Sequence, residues 1–353
     1  MAEAKPLKHL YLVDGSGFIF RAFHAIRPLN RPDGTPVNAV FGFTRMLMKL
    51  LRDTEADHIA VIFDAARRNF RNDIYPDYKG HRPDAPEELV PQFPLIKQAS
   101  EAFNLHTIEI EGFEADDIIA TYARQATEAG AEVTIVSSDK DLMQLVDDRV
   151  SLFDTMKNKR SGPEEVFEKF GVEPERVVDV QALAGDSTDN IPGVPGIGIK
   201  TAALLIQEYG DLETLLERAG EIKQNKRREN LIEFAEQARV SMKLVTLDKD
   251  TPVPQPLDSL IAHKPTAEQL GGFLREQNFK TLTTRVVERL TDGSVDDLPP
   301  VEEAPAQSTA QPVGSAATAK TEKLPPISEC SFATISEMAA LEAIIADAYD
   351  SGF

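Results

Sequence analysis

Apolar, β-branched runs in this chain stop on acids. HLYLV ends at Asp14, AVIF at Asp64, and VTIVSS runs into Asp139 and Asp141. EGFEADD places Glu114, Asp116 and Asp117 after another apolar run, HTIEI, and GDSTDN places Asp186 and Asp189 on a turn. Open parallel sheets bind ligands beyond the carboxyl ends of their strands, so these acids are expected along one edge. Nine carboxylates in one cleft repel each other by several kcal/mol unless cations lie among them. An all-oxygen donor set favours hard divalent ions, Mg²⁺ or Mn²⁺. A lone Asp after a strand usually forms a turn or caps a helix, and Asp154 after VSLF is read that way. Asp116 and Asp117 alone would merely offset a helix dipole. Recurrence of the pattern at strand after strand favours the joint reading.

After Asp64 the chain reads AARRNFRNDIYPDYKGHRPDAPEEL, where Arg67, Arg68, Arg71, Lys79 and Arg82 interleave with Phe70, Tyr75 and Tyr78. The plain alternative is a solvated loop with rings packed beneath it. Beside an acid cleft, the same residues offer cations for phosphates and flat rings for base stacking. GVPGIGIKTAALLIQEYG, residues 193 to 210, is not a P-loop, because Ile199 separates Gly198 from Lys200. It is not a dinucleotide loop either, because Thr201 stands where the third glycine belongs. What remains is a helix-hairpin-helix pattern, in which Gly193, Gly196, Gly198, Lys200 and Thr201 would hold a DNA backbone without reading its sequence; the plain alternative is an ordinary turn between helices with a glycine C-cap, which so specific a string disfavours. Lys223, Lys226, Arg227 and Arg228 either extend that face or are a solvated helix surface.

The elements that must position these residues alternate. Strand-like runs at 9–13, 58–63, 106–110, 132–136 and 150–153 are separated by helical patterns at 37–53, 87–103 and 115–129. This predicts an α/β domain with a mostly parallel sheet flanked by helices, over residues 1–161. From about 162 to 290 only short helices joined by Gly and Pro turns are expected. Residues 291–327 are Pro, Ala, Ser, Thr and acid, the composition of a flexible linker. Beyond it, Thr334 and Glu337 form a capping box before a helix carrying Ile335, Met338, Leu341, Ile344 and Ile345. That apolar face has nothing to pack on before Phe353, so either it docks back on the body or the chain is cut at the start of a further domain, and the cut is the favoured expectation.

A single cysteine, Cys330, excludes a disulfide framework and a Cys-based zinc cluster, and the six histidines lack metal-binding spacing. No apolar run is long enough to span a membrane and no signal peptide precedes the first strand. A cytoplasmic, soluble protein is expected. The net charge of −20 argues against nucleic acid at face value. Residues 286–353, however, hold 3 basic and 12 acidic side chains, which leaves −11 for residues 1–285. A body so charged can bind DNA when many of its acids gather in one metal-neutralised site.

Taken together, LVDGSGFIFRAFHA, VIFDAARRNFRNDIYPDYKGHR, GFEADDIIATYA, VSSDKDLMQLV and QALAGDSTDNIPGVPGIGIKTAALLI resemble one family closely. It is the 5′ nuclease domain at the N-terminus of bacterial DNA polymerase I, within the flap endonuclease superfamily, and the resemblance covers about residues 8–290. It implies a PIN-like sheet, a helical arch over about residues 65–100, and two or more Mg²⁺ ions for which Mn²⁺ substitutes. Asp14, Asp64, Glu114, Asp116 and Asp117 would surround one ion, and Asp139, Asp141, Asp186 and Asp189 the other. Arg21, Lys79 and Arg82 match the family's cations near the scissile phosphate, and Tyr78 its neighbouring aromatic. The resemblance further implies a monovalent cation at the helix-hairpin-helix, and a monomer in the bacterial cytoplasm, associated with the nucleoid. The partner would be DNA with a free 5′ end, flap or nick, and residues 328–353 would begin a 3′–5′ exonuclease-like domain ahead of a polymerase domain. Two other classes fit less well. A Mg²⁺-dependent phosphatase needs a nucleophilic DxD on the first strand, where Gly15 and Ser16 follow Asp14. A binding-only DNA clamp would not need an acid at every ligand position.

Overall fold

The computed structural model describes residues 6–54, 56–283 and 291. The expected linker beyond Thr291 and the expected terminal segment 328–353, with its capping box, lie outside them. Six strands form one sheet: β1 (His9–Asp14), β2 (His58–Ile62), β3 (His106–Ile108), β4 (Glu132–Val136), β5 (Val150–Asp154) and β6 (Lys159–Ser161). Their order is β3-β2-β1-β4-β5-β6, parallel throughout except for the antiparallel β5–β6 pair. β6 has no counterpart among the expected strands. Its sequence, KRS, is a polar edge with no apolar alternation, and it is paired only because Asn158 takes a left-handed turn (φ 51°) back toward β5.

Helices cover both faces, the arrangement that lets parallel strands be apolar throughout. β1 shows the period of two: Leu10 and Leu12 enter one core cluster, Tyr11 and Val13 the other. On the second face lie α1 (Gly15–Ala25), α2 (Asn38–Asp53) and, after the one-turn α3 (Arg71–Ile74), α4 (Gln92–Ala102). α5 (Ala115–Glu128) packs on the first face. The chain continues as α6 (Pro163–Phe170), α7 (Val177–Ala184), α8 (Ile199–Tyr209), α9 (Leu212–Glu217), α10 (Asn225–Glu233), α11 (Ala235–Val245) and α12 (Ala267–Glu276). Among the described residues no strand follows Ser161. The first core cluster runs without a break from β1 and α5 into α6–α11, so the helical region shares its core with the sheet.

The chain steps from β1 to β2 and β3 on one side, then returns to place β4 and β5 on the other. The switch point therefore lies between β1 and β4, where a crevice opens beyond their carboxyl ends. The turn between α7 and α8 is held beside this crevice by two glycines. Gly185 (φ 68°) and Gly193 (φ 59°) are both left-handed, and a Cβ on Gly193 would lie 2.4 Å from the Gly185 nitrogen. Between them, Asp186 and Ile191 exchange backbone hydrogen bonds of 2.9 and 2.7 Å, which closes the turn carrying Asp186 and Asp189. Gly193→Ala sets backbone against backbone at a position already left-handed, and is expected to lower unfolding free energy by about 2–3 kcal/mol in urea titrations.

Candidate active site

Asp14 ends β1 and caps α1. Its Oδ1 accepts the Gly17 amide at 2.7 Å and its Oδ2 accepts the Ser137 hydroxyl at 2.7 Å, across the β1–β4 crevice. A Cβ at Gly17 would fall 2.3 Å from Asp14 Oδ2, so a larger residue there would displace the carboxylate. Asp64, just past β2, accepts the Ala115 amide at 2.8 Å, and its own amide donates to Ser16 Oγ at 2.9 Å. Beyond β4, the Ser137 hydroxyl also accepts the Asp139 amide at 3.0 Å, and Asp139 Oδ1 accepts the Asp141 amide at 2.9 Å. Asp141 receives the side-chain amide of Gln181 on α7.

The acids divide by their partners. Glu114 accepts Lys79 Nζ at 2.5 Å, Asn69 Nδ2 at 2.8 Å and the Tyr78 hydroxyl at 3.1 Å. Arg82 pairs with Asp189, Lys140 with Asp186, and Lys79 stands 3.6 Å from Asp189. Asp117 is paired with Arg71. The other five, Asp14, Asp64, Asp116, Asp139 and Asp141, have no cation at ion-pair distance among the described residues.

Electrostatics follow that division. Burial pushes Asp14 up to about 6 against the Gly17 and Ser137 hydrogen bonds, with Asp139 and Asp64 adding to the rise. Asp141 is likewise pushed to about 6 by burial and by Asp139. Burial, then Asp139, Asp14 and Glu114, hold Asp116 well above the ordinary range. Asp64 opens to the cleft, yet crowding by protein raises it despite its hydrogen bond to Ala115. In Glu114 burial also pushes upward, but Lys79, Arg71 and Tyr78 outweigh it and hold the group low. Asp186 is kept low in the same way, chiefly by Lys140 against burial. The mutual repulsion among Asp14, Asp64, Glu114, Asp116, Asp139 and Asp141 marks them as one cluster at the sheet edge.

Two clefts open on it. One of about 380 Å³ is lined by Asp14, Arg21, Asp139, Lys140 and Lys169. The other, of about 520 Å³, is lined by Asp64, Glu114, Lys79, Arg82, Phe20 and Phe93. Among the described residues no three carboxylates already converge as a cage around one point. The donor set nevertheless fits divalent ions: it is all oxygen, crowded, and short of positive charge at the five unpaired acids.

Some expected site residues lie elsewhere. Arg71, expected on the DNA side, is fully buried. It makes two 2.7 Å bonds to Asp117 and donates to the carbonyls of Leu244 (2.8 Å) and Thr246 (2.9 Å). Asp117, expected among the metal ligands, also accepts the Glu114 and Asp248 amides, so both its oxygens are fully engaged. Tyr78, expected as an aromatic contact, is 4% exposed and packs in the core with its hydroxyl on Glu114. The exposed ring at the cleft is Phe20, 45% accessible and edge-on to Phe93. Gly193 is buried, and its amide is taken by Ser241 Oγ at 3.0 Å, so it cannot hold a phosphate. Gly196, Gly198 and Lys200 are exposed at the start of α8, where the first helical amides lack intrahelical acceptors, and Thr201 is half-buried beside them. Sequence reasoning missed Ser137, Asn69 and Lys140. Only Lys140, set between two acids in SDKD, carried a visible signal.

A doubly wound sheet with unpaired acids along its carboxyl edge, flanked by cationic side chains, has the layout of an α/β enzyme that handles anionic substrates through bound cations. Residues 9–171 match the family described as "5'-3' exonuclease, N-terminal resolvase-like domain" and residues 172–268 match "5'-3' exonuclease, C-terminal SAM fold". The chain belongs to the 5′–3′ exonuclease family. It is 57% identical over 295 residues to a DNA polymerase I of Rhizobium leguminosarum, covering 81% of this chain and 29% of that protein. It is 38% identical over 280 residues to a 5′–3′ exonuclease of Aquifex aeolicus, covering 79% of this chain and 96% of that one. A solved structure of T5 5′-exonuclease with bound zinc has 28% identity and a TM-score of 0.59, covering 68% of this chain and 90% of its own. The chain thus spans about a third of the polymerase relatives it matches and nearly all of the shorter exonuclease.

Two measurements check this account. Removing one partner of a buried ion pair strands the other, so Arg71→Ala is expected to cost about 3–5 kcal/mol in urea unfolding. The second concerns pH. Because Asp14 and Asp141 hold their protons to about 6 when folded, their contribution is full below the unfolded carboxylate value and is lost as pH rises toward about 6. The metal-free thermal midpoint should therefore fall between about pH 5 and about pH 7.5, and added Mn²⁺ should raise it more at the higher pH. An equal rise at both values would count against metal binding at these acids.

Proposed function

We propose that this chain is a divalent-metal-dependent 5′–3′ exonuclease and 5′ flap endonuclease on DNA, and that it forms the N-terminal part of a DNA polymerase I. The observation that carries the reading is the group of five carboxylates without cationic partners along the carboxyl edge of the sheet. Its identity to a polymerase over 81% of this chain supports the parent, and the Aquifex aeolicus exonuclease supports a nuclease module of this length. Mg²⁺ is the proposed ion, with Mn²⁺ as substitute. Asp14, Asp64, Glu114, Asp116, Asp139, Asp141, Asp186 and Asp189 are the proposed ligand set. When bound, divalent ions supply Lewis-acid polarisation of the phosphate and a water nucleophile at neutral pH.

The chain's own residues do the rest. Ser137 and the Gly17 amide aim the Asp14 carboxylate into the crevice. Lys79 and Arg82 rest on Glu114 and Asp189; were those acids to hold a divalent ion, the two cations would be available to neutralise a phosphate. Arg21 meets the same phosphate from the other cleft. Phe20 offers a face to an unpaired base. The exposed amides at Gly198 and after it, with Lys200 and Thr201, grip duplex backbone, and a monovalent cation at this turn belongs to the proposal. So do a monomeric state, a cytoplasmic location at the nucleoid, and roles in primer removal and repair. The proposed division is a catalytic domain at 1–161, a helical DNA-binding region at 162–290, a linker at 291–327 and the start of a 3′–5′ exonuclease-like domain at 328–353. No helix among the described residues is long and apolar enough to cross a membrane.

The direct assay is purified chain with Mg²⁺ and a flap substrate labelled at its 5′ end. Release of short 5′ fragments is expected, while retention without cleavage would indicate a clamp. Asp139→Asn should abolish cleavage yet leave duplex affinity within about tenfold, because it changes the metal site and not the phosphate contacts. Normal cleavage by that variant would overturn the ligand assignment.

A further inference from the structure

Asp154 ends β5 on a charge and does form a turn, as its sequence context suggests. Its Oδ1 accepts the amides of Met156 at 3.0 Å and Lys157 at 3.2 Å. The same carboxylate also accepts Arg21 Nη2 at 3.2 and 3.4 Å, from 133 positions away in sequence. Arg21 Nη1 donates to Ser138 Oγ at 2.7 Å. Asp154 is 8% exposed and its turn fixes it, so the arginine is the movable member of the pair.

Arg21 shares its cleft with Asp14 and Asp139, neither of which has a cation at ion-pair distance. A guanidinium is charged at every working pH. Left unanchored among unpaired carboxylates in a partly desolvated cleft, it would fall onto them. Ser138 and Asp154 instead hold one N–H on each terminal nitrogen and leave the rest of the donor fork open.

We propose that Asp154 is a positioning residue: it holds Arg21 away from Asp14 and Asp139, so that these acids stay open to a divalent cation and the guanidinium keeps a free edge for phosphate. This rests on the metal-dependent nuclease reading above. An Arg21 without its anchor competes with the metal and meets the phosphate in many orientations. The first effect weakens metal binding, and the second lowers turnover while leaving substrate charge neutralisation, and so KM, nearly intact.

Asp154→Asn is the informative change, because its Oδ1 still accepts the two turn amides while the charge that holds Arg21 is lost. Metal binding is read from the Mn²⁺-dependent rise in thermal midpoint, independently of activity. The Mn²⁺ concentration for half the rise should increase about threefold or more, with kcat on a 5′ flap down about tenfold and KM within about twofold. In an Arg21→Gln background the same change should move the Mn²⁺ midpoint by less than about 1.5-fold. Ser138→Ala should act in the same direction as Asp154→Asn, more weakly. The proposal is overturned if Asp154→Asn leaves the Mn²⁺ midpoint unchanged, or shifts it equally with and without Arg21. If the Arg21-dependent pattern is seen but the unaltered chain cuts no 5′-ended DNA, the nuclease reading falls and the positioning role stands. Cleavage by the unaltered chain without that pattern sinks the positioning role alone.

Discussion

Parallel strands deliver their carboxyl ends to one edge, so the acids that follow β1, β2, β3 and β4 meet there and repel one another. The surrounding structure is organised by that repulsion. Where it is balanced from within, it is balanced tightly: Lys79 on Glu114, Arg82 on Asp189, Lys140 on Asp186 and Arg71 on Asp117. Where it is not, carboxyls are forced toward their protonated forms, as at Asp14 and Asp141. A fold that leaves like charges uncompensated at one place holds that place ready for a cation.

Rigid neighbours keep the arrangement from relaxing. The Arg71–Asp117 pair is sealed in the core and joins α3, the start of α5 and the end of α11 with the segment after it, through bonds to Leu244, Thr246 and Asp248. Glu114 and Asp116 precede Asp117 at the start of α5; the Asp117 carboxylate accepts the Glu114 amide at 3.1 Å and Arg71 stands 3.6 Å from the Glu114 carboxylate, so the pair fixes this turn directly. The chain after α3 is pinned a second time where the Lys79 amide, on a left-handed backbone (φ 54°), donates to the Asp189 carbonyl at 2.9 Å. Buried ion pairs add little net stability over apolar packing. Their use here is geometric, since four hydrogen bonds in fixed directions specify an orientation that packing alone would not.

Much of this was legible in the sequence. Continuous apolar runs alternating with helical patterns, and acids at the ends of those runs, marked the parallel sheet and its functional edge, because run length and strand polarity are local properties. The glycine-rich string from 193 marked a tight turn between helices. β6 was not legible, since KRS pairs with β5 only through the turn before it. Arg71, Tyr78 and Asp117 were read as surface chemistry because a basic, aromatic or acidic residue looks the same in sequence whether it faces water or core. Ser137 and Asn69 were invisible for the complementary reason: nothing local marks a small polar side chain whose partner lies 123 or 45 residues away.

By itself, then, the sequence determined which residue types reach the sheet edge and that their charges crowd there, because chain direction and alternation dictate both. Only the tertiary structure decided which of those charges are already paired. Pairing depends on which side chains from distant segments arrive within about 4 Å, and over that distance the Coulomb energy separates a carboxylate already held by one of the protein's own cations from one left without such a partner.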